Sequence, residues 1–459
     1  MKKRLAALLM CLTIILSLVG AFTPGSAEAA SVKLSKKKMT MYVYDLSKLT
    51  LNNATGTVKW KSSKTSVATV ENGIVTAKKA GKATITATYK GKKYKCKVTV
   101  KKAKAFETAA SAVKNMKIGF NIGNYFDASN ETWYGKNPEE FMTGWGNPVI
   151  DENFIVKLKE YGFGAVRVPI TWVYHFDDEG NIDPAWMAKV KEVVNWVLAN
   201  DMYCIINVHH DTGSTGENMA RWLFASSKNF GEQNGMFRVL WQNIAKEFKD
   251  YPQTLIFEGF NEMISEDNNW GEASDDAKQA INDYNQVFVN AVRSTSGNNL
   301  NRNLICTTYG GQIWESCIYY YSAPEDIVKD HLIGEVHYYQ PYDWTMEDNN
   351  SPYGEWVEEI VDGDIAYVAE AFETRGPSRT PLPLIIGEFG SRDKNNNTKD
   401  RIKWHTRVIS DAKAHGITCF IWDNGNCDDR STAINGYLSR SGGGDIYGDI
   451  IKACVEAAE

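Results

Sequence analysis

Glu262 and Glu388 are the two residues with the clearest chemistry, because each stands at the exit of a short apolar run. The first run is Thr254-Leu255-Ile256-Phe257-Glu258-Gly259-Phe260, followed by Asn261-Glu262. The second is Leu382-Pro383-Leu384-Ile385-Ile386, followed by Gly387-Glu388-Phe389-Gly390. A carboxylate beside a buried strand is costly unless it is paired or used in a reaction. Two such carboxylates suit one reaction above others, cleavage of a glycosidic bond. There one carboxyl stays protonated as acid and the other, about 5–5.5 Å away, stays ionised as nucleophile. The plainer reading makes each a helix cap or an arginine partner.

Other residues fit around this pair. Arg167 is expected to keep Glu388 ionised, and Asn261 to bind a sugar hydroxyl. His337 and Tyr339 lie two apart on one expected strand, so they share a face. Asn121, His209 and His210 also follow apolar runs, and with Arg167, Asn261, His337, Tyr339, Trp422 and Trp172 they are expected to bind the substrate. Trp422, Trp172, Trp314 and Trp344 are candidates to stack on sugar rings. His209, His210 and Asp211 raise a metal-dependent hydrolase as an alternative. Adjacent histidines on a strand face opposite ways, which makes a shared metal awkward.

These residues need a frame that gathers strand ends. Eight apolar runs are read as strands: Lys117–Asn121, Ala165–Pro169, Tyr203–Val208, Leu255–Phe260, Leu304–Thr308, Leu332–His337, Leu384–Gly387 and Thr418–Trp422. Segments of helical period lie between several of them, as in Ala188–Leu198. Eight strand–helix units predict an α/β fold, a (β/α)₈ TIM barrel with its site at the C-terminal strand ends. An open doubly wound sheet is the alternative, but no glycine-rich dinucleotide loop follows the first run. No cofactor motif is found and no bound metal is expected.

The start of the chain reads as an export signal. Lys2-Lys3-Arg4, an apolar stretch from Leu5 to Phe22 and small residues to Ala30 predict a signal peptide over 1–30, cleaved after Ala29 or Ala30. Residues 31–104 then carry 19 Lys, no Arg, one Asp and one Glu, while residues 105–459 carry a net charge of −24. Such a step marks a domain boundary. Short alternating runs such as Ala83-Thr84-Ile85-Thr86-Ala87-Thr88 predict that 31–104 is a small all-β sandwich, with Trp60 as a core anchor. Its lysines either solubilise it or attach it to an anionic cell wall. Nucleic acid is not an expected partner, since arginine is absent and the chain is read as secreted. Cys204, Cys306 and Cys419 sit in apolar runs and are read as buried thiols; a bridge among Cys317, Cys427 and Cys454 stays open.

Two resemblances add to this reading. Val67–Ala77 with Ala80–Ile85 resembles the group 2 bacterial immunoglobulin-like module, a spacer or adhesion domain. Residues 105–454 resemble glycoside hydrolase family 5 and, within it, the endo-β-1,4-glucanases. That likeness rests on Gly119-Phe120-Asn121-Ile122-Gly123-Asn124, Trp145-Gly146-Asn147-Pro148, Val166-Arg167-Val168-Pro169, Asn207-Val208-His209-His210-Asp211, Phe257-Glu258-Gly259-Phe260-Asn261-Glu262, Glu335-Val336-His337-Tyr338-Tyr339, Gly387-Glu388-Phe389-Gly390 and Trp422-Asp423-Asn424. It implies a retaining barrel enzyme with Glu262 as acid/base and Glu388 as nucleophile. Arg167, His209, Asn261, His337, Tyr339 and Trp422 would support them. Met263, Phe120 and Ile421 depart from the family's usual residues, away from the proposed chemistry. The expectation is a secreted, monomeric endo-β-glucanase acting on cellulose-type or mixed-linkage β-glucan. A mannanase or xyloglucanase on the same scaffold, or a non-catalytic adhesion protein, are the alternatives.

Overall fold

The computed structural model describes residues 31–213, 220–347, 358–374, 381–394, 397–425, 435–442 and 444–459. The expected signal peptide and Cys427 lie outside them.

Residues from Lys33 to Lys101 form a β-sandwich. One sheet holds Lys38–Tyr42, Lys92–Lys101, Gly81–Tyr89 and Lys59–Ser62 in that order. The other holds Leu46–Lys48, Ile74–Ala77 and Ala68–Glu71. Strict alternation sends Ala83, Ile85, Ala87 and Tyr89 inward and Lys82, Thr84, Thr86 and Thr88 outward. Asn72-Gly73, both at positive φ (45° and 83°), close one hairpin as a tight two-residue turn. Trp60 corrects the expectation of a central anchor. It is only half-buried at the edge, and Leu49, Val75, Ile85 and Cys96 fill the centre.

The rest of the described chain is built on a closed parallel barrel in sequence order. Its strands are β1 (Gly119–Ile122), β2 (Ala165–Val168), β3 (Tyr203–Ile206), β4 (Leu255–Glu258), β5 (Leu304–Thr307), β6 (Leu332–Tyr338), β7 (Leu384–Phe389) and β8 (Thr418–Asp423). All eight expected runs are strands, and β8 closes on β1 through Gly119↔Phe420. Both faces of each strand are buried, which explains runs that are apolar throughout. Helices pack outside, several of them begun by a local cap. Ser226 caps Ser227–Glu247, Ser274 caps Asp275–Arg293, and Asp183 with Pro184 starts Pro184–Ala199. That last helix contains the expected helical segment and buries Trp186, Val190, Val193, Val194 and Val197.

Inside the barrel, alternation creates two layers. Ala165, Ile205, Ile256, Ile305, Ile333, Ile385 and Phe420 form one apolar layer, plugged from below by the helix Ala109–Met116. Two residues further along each strand, the inward positions become Asn121, Arg167, Asn207, Glu258, Thr307, Glu335, Gly387 and Trp422. A polar ring therefore sits on the apolar layer, at the end where the strands finish. Cys204, Cys306 and Cys419 are buried free thiols, as expected, and Cys317 and Cys454 are free and buried too.

Candidate active site

Arg167 organises the polar ring. Its Nε and Nη2 donate to the two oxygens of Glu258, each at 2.6 Å. Nη1 donates to Glu388 Oε1 at 2.7 Å and Asn121 Oδ1 at 2.9 Å, and Nη2 also donates to Asn261 Oδ1 at 2.8 Å. All five guanidinium donors are engaged, and the side chain is fully buried. Arg167 thus holds Glu388 and does not reach substrate, which corrects its placing among substrate-binding residues. Asn121 is corrected in the same way. It is buried, accepts from Arg167 and donates to Gly387 O at 2.9 Å, so it positions the arginine.

Glu388 owes its direction to a bulge. Simple alternation along β7 puts Ile385 and Gly387 inward and would turn Glu388 outward. The β6–β7 pairing instead passes from Val336↔Ile386 to His337↔Glu388, leaving Gly387 unpaired. The extra residue rotates Glu388 into the barrel mouth, as bulges beside active sites do. Tyr339 OH then donates to Glu388 Oε2 at 3.0 Å, so both carboxylate oxygens are held. Burial pushes the Glu388 carboxyl above its usual range, while His337 and Arg167 pull it back toward ionisation.

Glu262 stands opposite, its side chain 22% exposed against 6% for Glu388. His337 lies between them, with Nδ1 2.7 Å from Glu262 Oε1 and 3.8 Å from Glu388 Oε2. One oxygen of each carboxylate and a ring nitrogen of His337 all lie within 4.8 Å of one another. Burial disfavours a charged imidazole, but Glu388, Glu262 and Glu335 overcome it and raise His337 well above its ordinary pKa. His337 and Tyr339 do share a face, as expected from their spacing.

The rim beyond carries the remaining residues. Asn207 Nδ2 donates to His209 Nδ1 at 3.0 Å and to Glu258 Oε1 at 2.7 Å, while its Oδ1 accepts from Ile170 N. This network assigns the His209 proton to Nε2, making that atom a donor. Trp422 is half-buried and lies parallel to the His209 ring at 5.7 Å. Gly123 leaves room for the indole, which a Cβ there would strike. His210 stands against Trp145, with ring centroids 5.6 Å apart, and its Nε2 is 3.8 Å from Asp127 Oδ2. Burial lowers His210 to about 4 and raises Asp127 to about 6.

Several expectations fail on geometry. Trp172 is fully buried and donates Nε1 to Asn207 O at 2.8 Å, so it supports the floor and meets no sugar. Trp344 is buried against Trp404, whereas Trp314 is 45% exposed. The opposite-faces argument for His209 and His210 also fails, since β3 ends at Ile206 and the rings meet at 4.5 Å. Their near carboxylate is Asp127. Asp211 accepts from Trp172 N, Val173 N and Trp222 Nε1, a structural role. A cation on His209 Nε2 would have to displace the proton assigned there.

Glu258 and Glu335 are the residues that motif reading left without a role. Glu335 is fully buried, 3.8 Å from both Arg167 Nε and His337 Nε2. It fits only because Gly387 has no side chain; a Cβ there would overlap its carboxylate. Two-residue counting past the apolar layer was the signal that finds both.

Closed barrel, buried guanidinium hub and histidine-bridged carboxylates define a barrel hydrolase with a two-carboxylate centre. Residues 126–428 match the family described as Cellulase (glycosyl hydrolase family 5), and residues 30–100 match Bacterial Ig-like domain (group 2). Endoglucanase A of Clostridium longisporum is 31% identical over 360 residues, 77% of this chain and 66% of that protein. A xyloglucan-specific endo-beta-1,4-glucanase of Bacteroides ovatus is 30% identical over 339 residues, 69% of this chain and 66% of that protein. The solved structure of a broad specificity endoglucanase from Clostridium longisporum superposes with a TM-score of 0.71 at 30% identity, covering 77% of this chain and 99% of that one. The chain belongs to glycosyl hydrolase family 5, as a glycoside hydrolase of the endoglucanase kind with a group 2 Ig-like domain before its barrel.

Proposed function

We propose that this protein is a secreted, endo-acting, retaining β-glucanase that cuts internal β-1,4 bonds of cellulose-type or mixed-linkage glucans. In this reading residues 31–104 are the Ig-like domain and 105–459 the catalytic domain. The carrying observation is the approach of Glu262 and Glu388 to within 4.8 Å through His337. That approach is nearer the roughly 5–5.5 Å of a retaining pair than the roughly 6.5–9.5 Å of an inverting one, and supports direct attack by one carboxylate.

Glu388, held by Arg167 and Tyr339, attacks the anomeric carbon. Glu262, at the more open edge and bonded to His337, protonates the leaving oxygen. The ester so formed removes the negative charge of Glu388 that helps hold His337 above its ordinary pKa. Glu262 then acts as base on the incoming water, which releases the sugar with retained configuration. His209 Nε2–H and Asn261 face sugar hydroxyls, and Trp422 offers a flat apolar surface.

The test is reducing-sugar release from carboxymethylcellulose, barley β-glucan, xyloglucan and glucomannan. Glu262→Gln and Glu388→Gln should each lower activity by about 10²–10⁴-fold on every substrate the wild type cleaves. Near-normal activity in either variant contradicts the assignment. Xyloglucan is the second reading, supported by the name of the Bacteroides ovatus relative; a higher rate on xyloglucan than on unbranched glucans would favour it.

A further inference from the structure

The Ig-like domain has two unlike faces. Its three-stranded sheet turns toward the barrel: Leu46 joins the barrel's outer apolar cluster, Ile74 packs against it, and Lys48 Nζ meets Glu152 Oε2 at 2.5 Å. The four-stranded sheet presents the other outer face. Along Lys92–Lys101 its outward residues are Lys93, Lys95, Lys97, Thr99 and Lys101. The neighbouring strands add only Lys, Thr and one Tyr, with no acidic residue.

This face is costly to build. Lys38 pairs directly across from Lys97, a like-charge juxtaposition that opposes sheet formation. Lys37, Lys38, Lys95 and Lys97, with the Thr84 and Thr86 hydroxyls, line a groove of 640 Å³. Lysines two apart along a strand are spaced by about 7 Å, a straight row of charge. The one ring on the face, Tyr42, is covered by Lys104 Nζ at 4.5 Å and Lys101 Nζ at 5.7 Å. No outward ring on this face is free to stack, as neutral sugars and single-stranded bases require.

We propose that this lysine–threonine face binds a linear, phosphodiester-linked anionic polymer of the cell envelope, holding the enzyme at the surface. Charge complementarity and row geometry argue for a polyanion. A phosphodiester row offers one full charge per repeat to this row of lysines, and lysine binds phosphate in that way, as a point charge.

The test uses the full chain, purified bacterial walls that contain such polymers, and the same walls after acid removal of them. Bound protein is measured directly, so the result is independent of whether the barrel cleaves glucan. Wild type should pellet with intact walls at about 0.05 M NaCl and be released at about 0.5 M, as counterion release demands. Lys38→Glu, Lys95→Glu and Lys97→Glu together should lower pelleting at least about tenfold, with unchanged rate on soluble β-glucan, and polyphosphate should compete. The threonine triple at the same positions keeps strand propensity, is expected to weaken binding in the same direction, and serves if charge reversal prevents folding. Equal pelleting of wild type and variant overturns the proposal. So does undiminished pelleting on stripped walls, or competition by polygalacturonate or DNA but not by polyphosphate.

Discussion

Tyr339 shows how one hydroxyl tunes the centre. Its donation to Glu388 Oε2 favours the ionised nucleophile, against the burial that raises this carboxyl. Removing the hydroxyl therefore raises the pKa of Glu388 further. Tyr339→Phe should move the acid limb of the kcat/KM–pH profile to higher pH. It should also lower kcat/KM by about 10–100-fold, the range for a hydrogen bond to a charged group. An unmoved acid limb would assign that limb to another group. At this scale the sequence was legible where a residue type announces its chemistry. Glu262, Glu388, His337 and Tyr339 were read at the strand ends, and the structure brings them together. It was opaque where burial decides. Trp172 looks like a stacking indole but lies under the floor, and Glu258 passed as one more residue of a matched block.

At the scale of elements, the bulge in β7 decides whether Glu388 meets His337. Gly387 serves it twice, as the unpaired residue and as the space into which Glu335 fits. Gly387→Ala should destabilise the fold by about 1–3 kcal/mol through overpacking, measured by the urea unfolding midpoint. Adding Glu335→Ala removes the clash, so the two substitutions should couple favourably in a double-mutant cycle; additivity would contradict the packing account. Strand existence was legible because buried parallel strands are apolar on both faces. The bulge was not, because nothing in Ile386-Gly387-Glu388 states that pairing skips a residue. The barrel's polar ring was hidden for a related reason: each of its members occupies one position in a different strand, far apart in sequence.

At the scale of the whole molecule, charge and contact divide the labour. The barrel closes on itself through eight strands and its own core, and among the described residues the Ig-like domain meets it through Leu46, Ile74 and the Lys48–Glu152 ion pair. Lys48 and Glu152 keep 22% and 26% of their side chains exposed, so solvent weakens the pair. Lys48→Ala should cost less than about 1 kcal/mol and leave the rate on soluble glucan unchanged. A larger loss of either would make the module part of the catalytic fold. The composition step near residue 104 was legible as charge; which sheet faces the barrel was not, since lysines border both sheets.

The most direct test of the two-carboxylate account is the configuration of the first product. Proton NMR on wild-type enzyme cleaving a cello-oligosaccharide or mixed-linkage glucan follows the anomeric signals before mutarotation. Glu262 and Glu388 as acid/base and nucleophile predict that the β-anomer appears first and the α-anomer grows in later. An α-anomer first would mean water attacks directly, and Glu388 would lose its role as nucleophile.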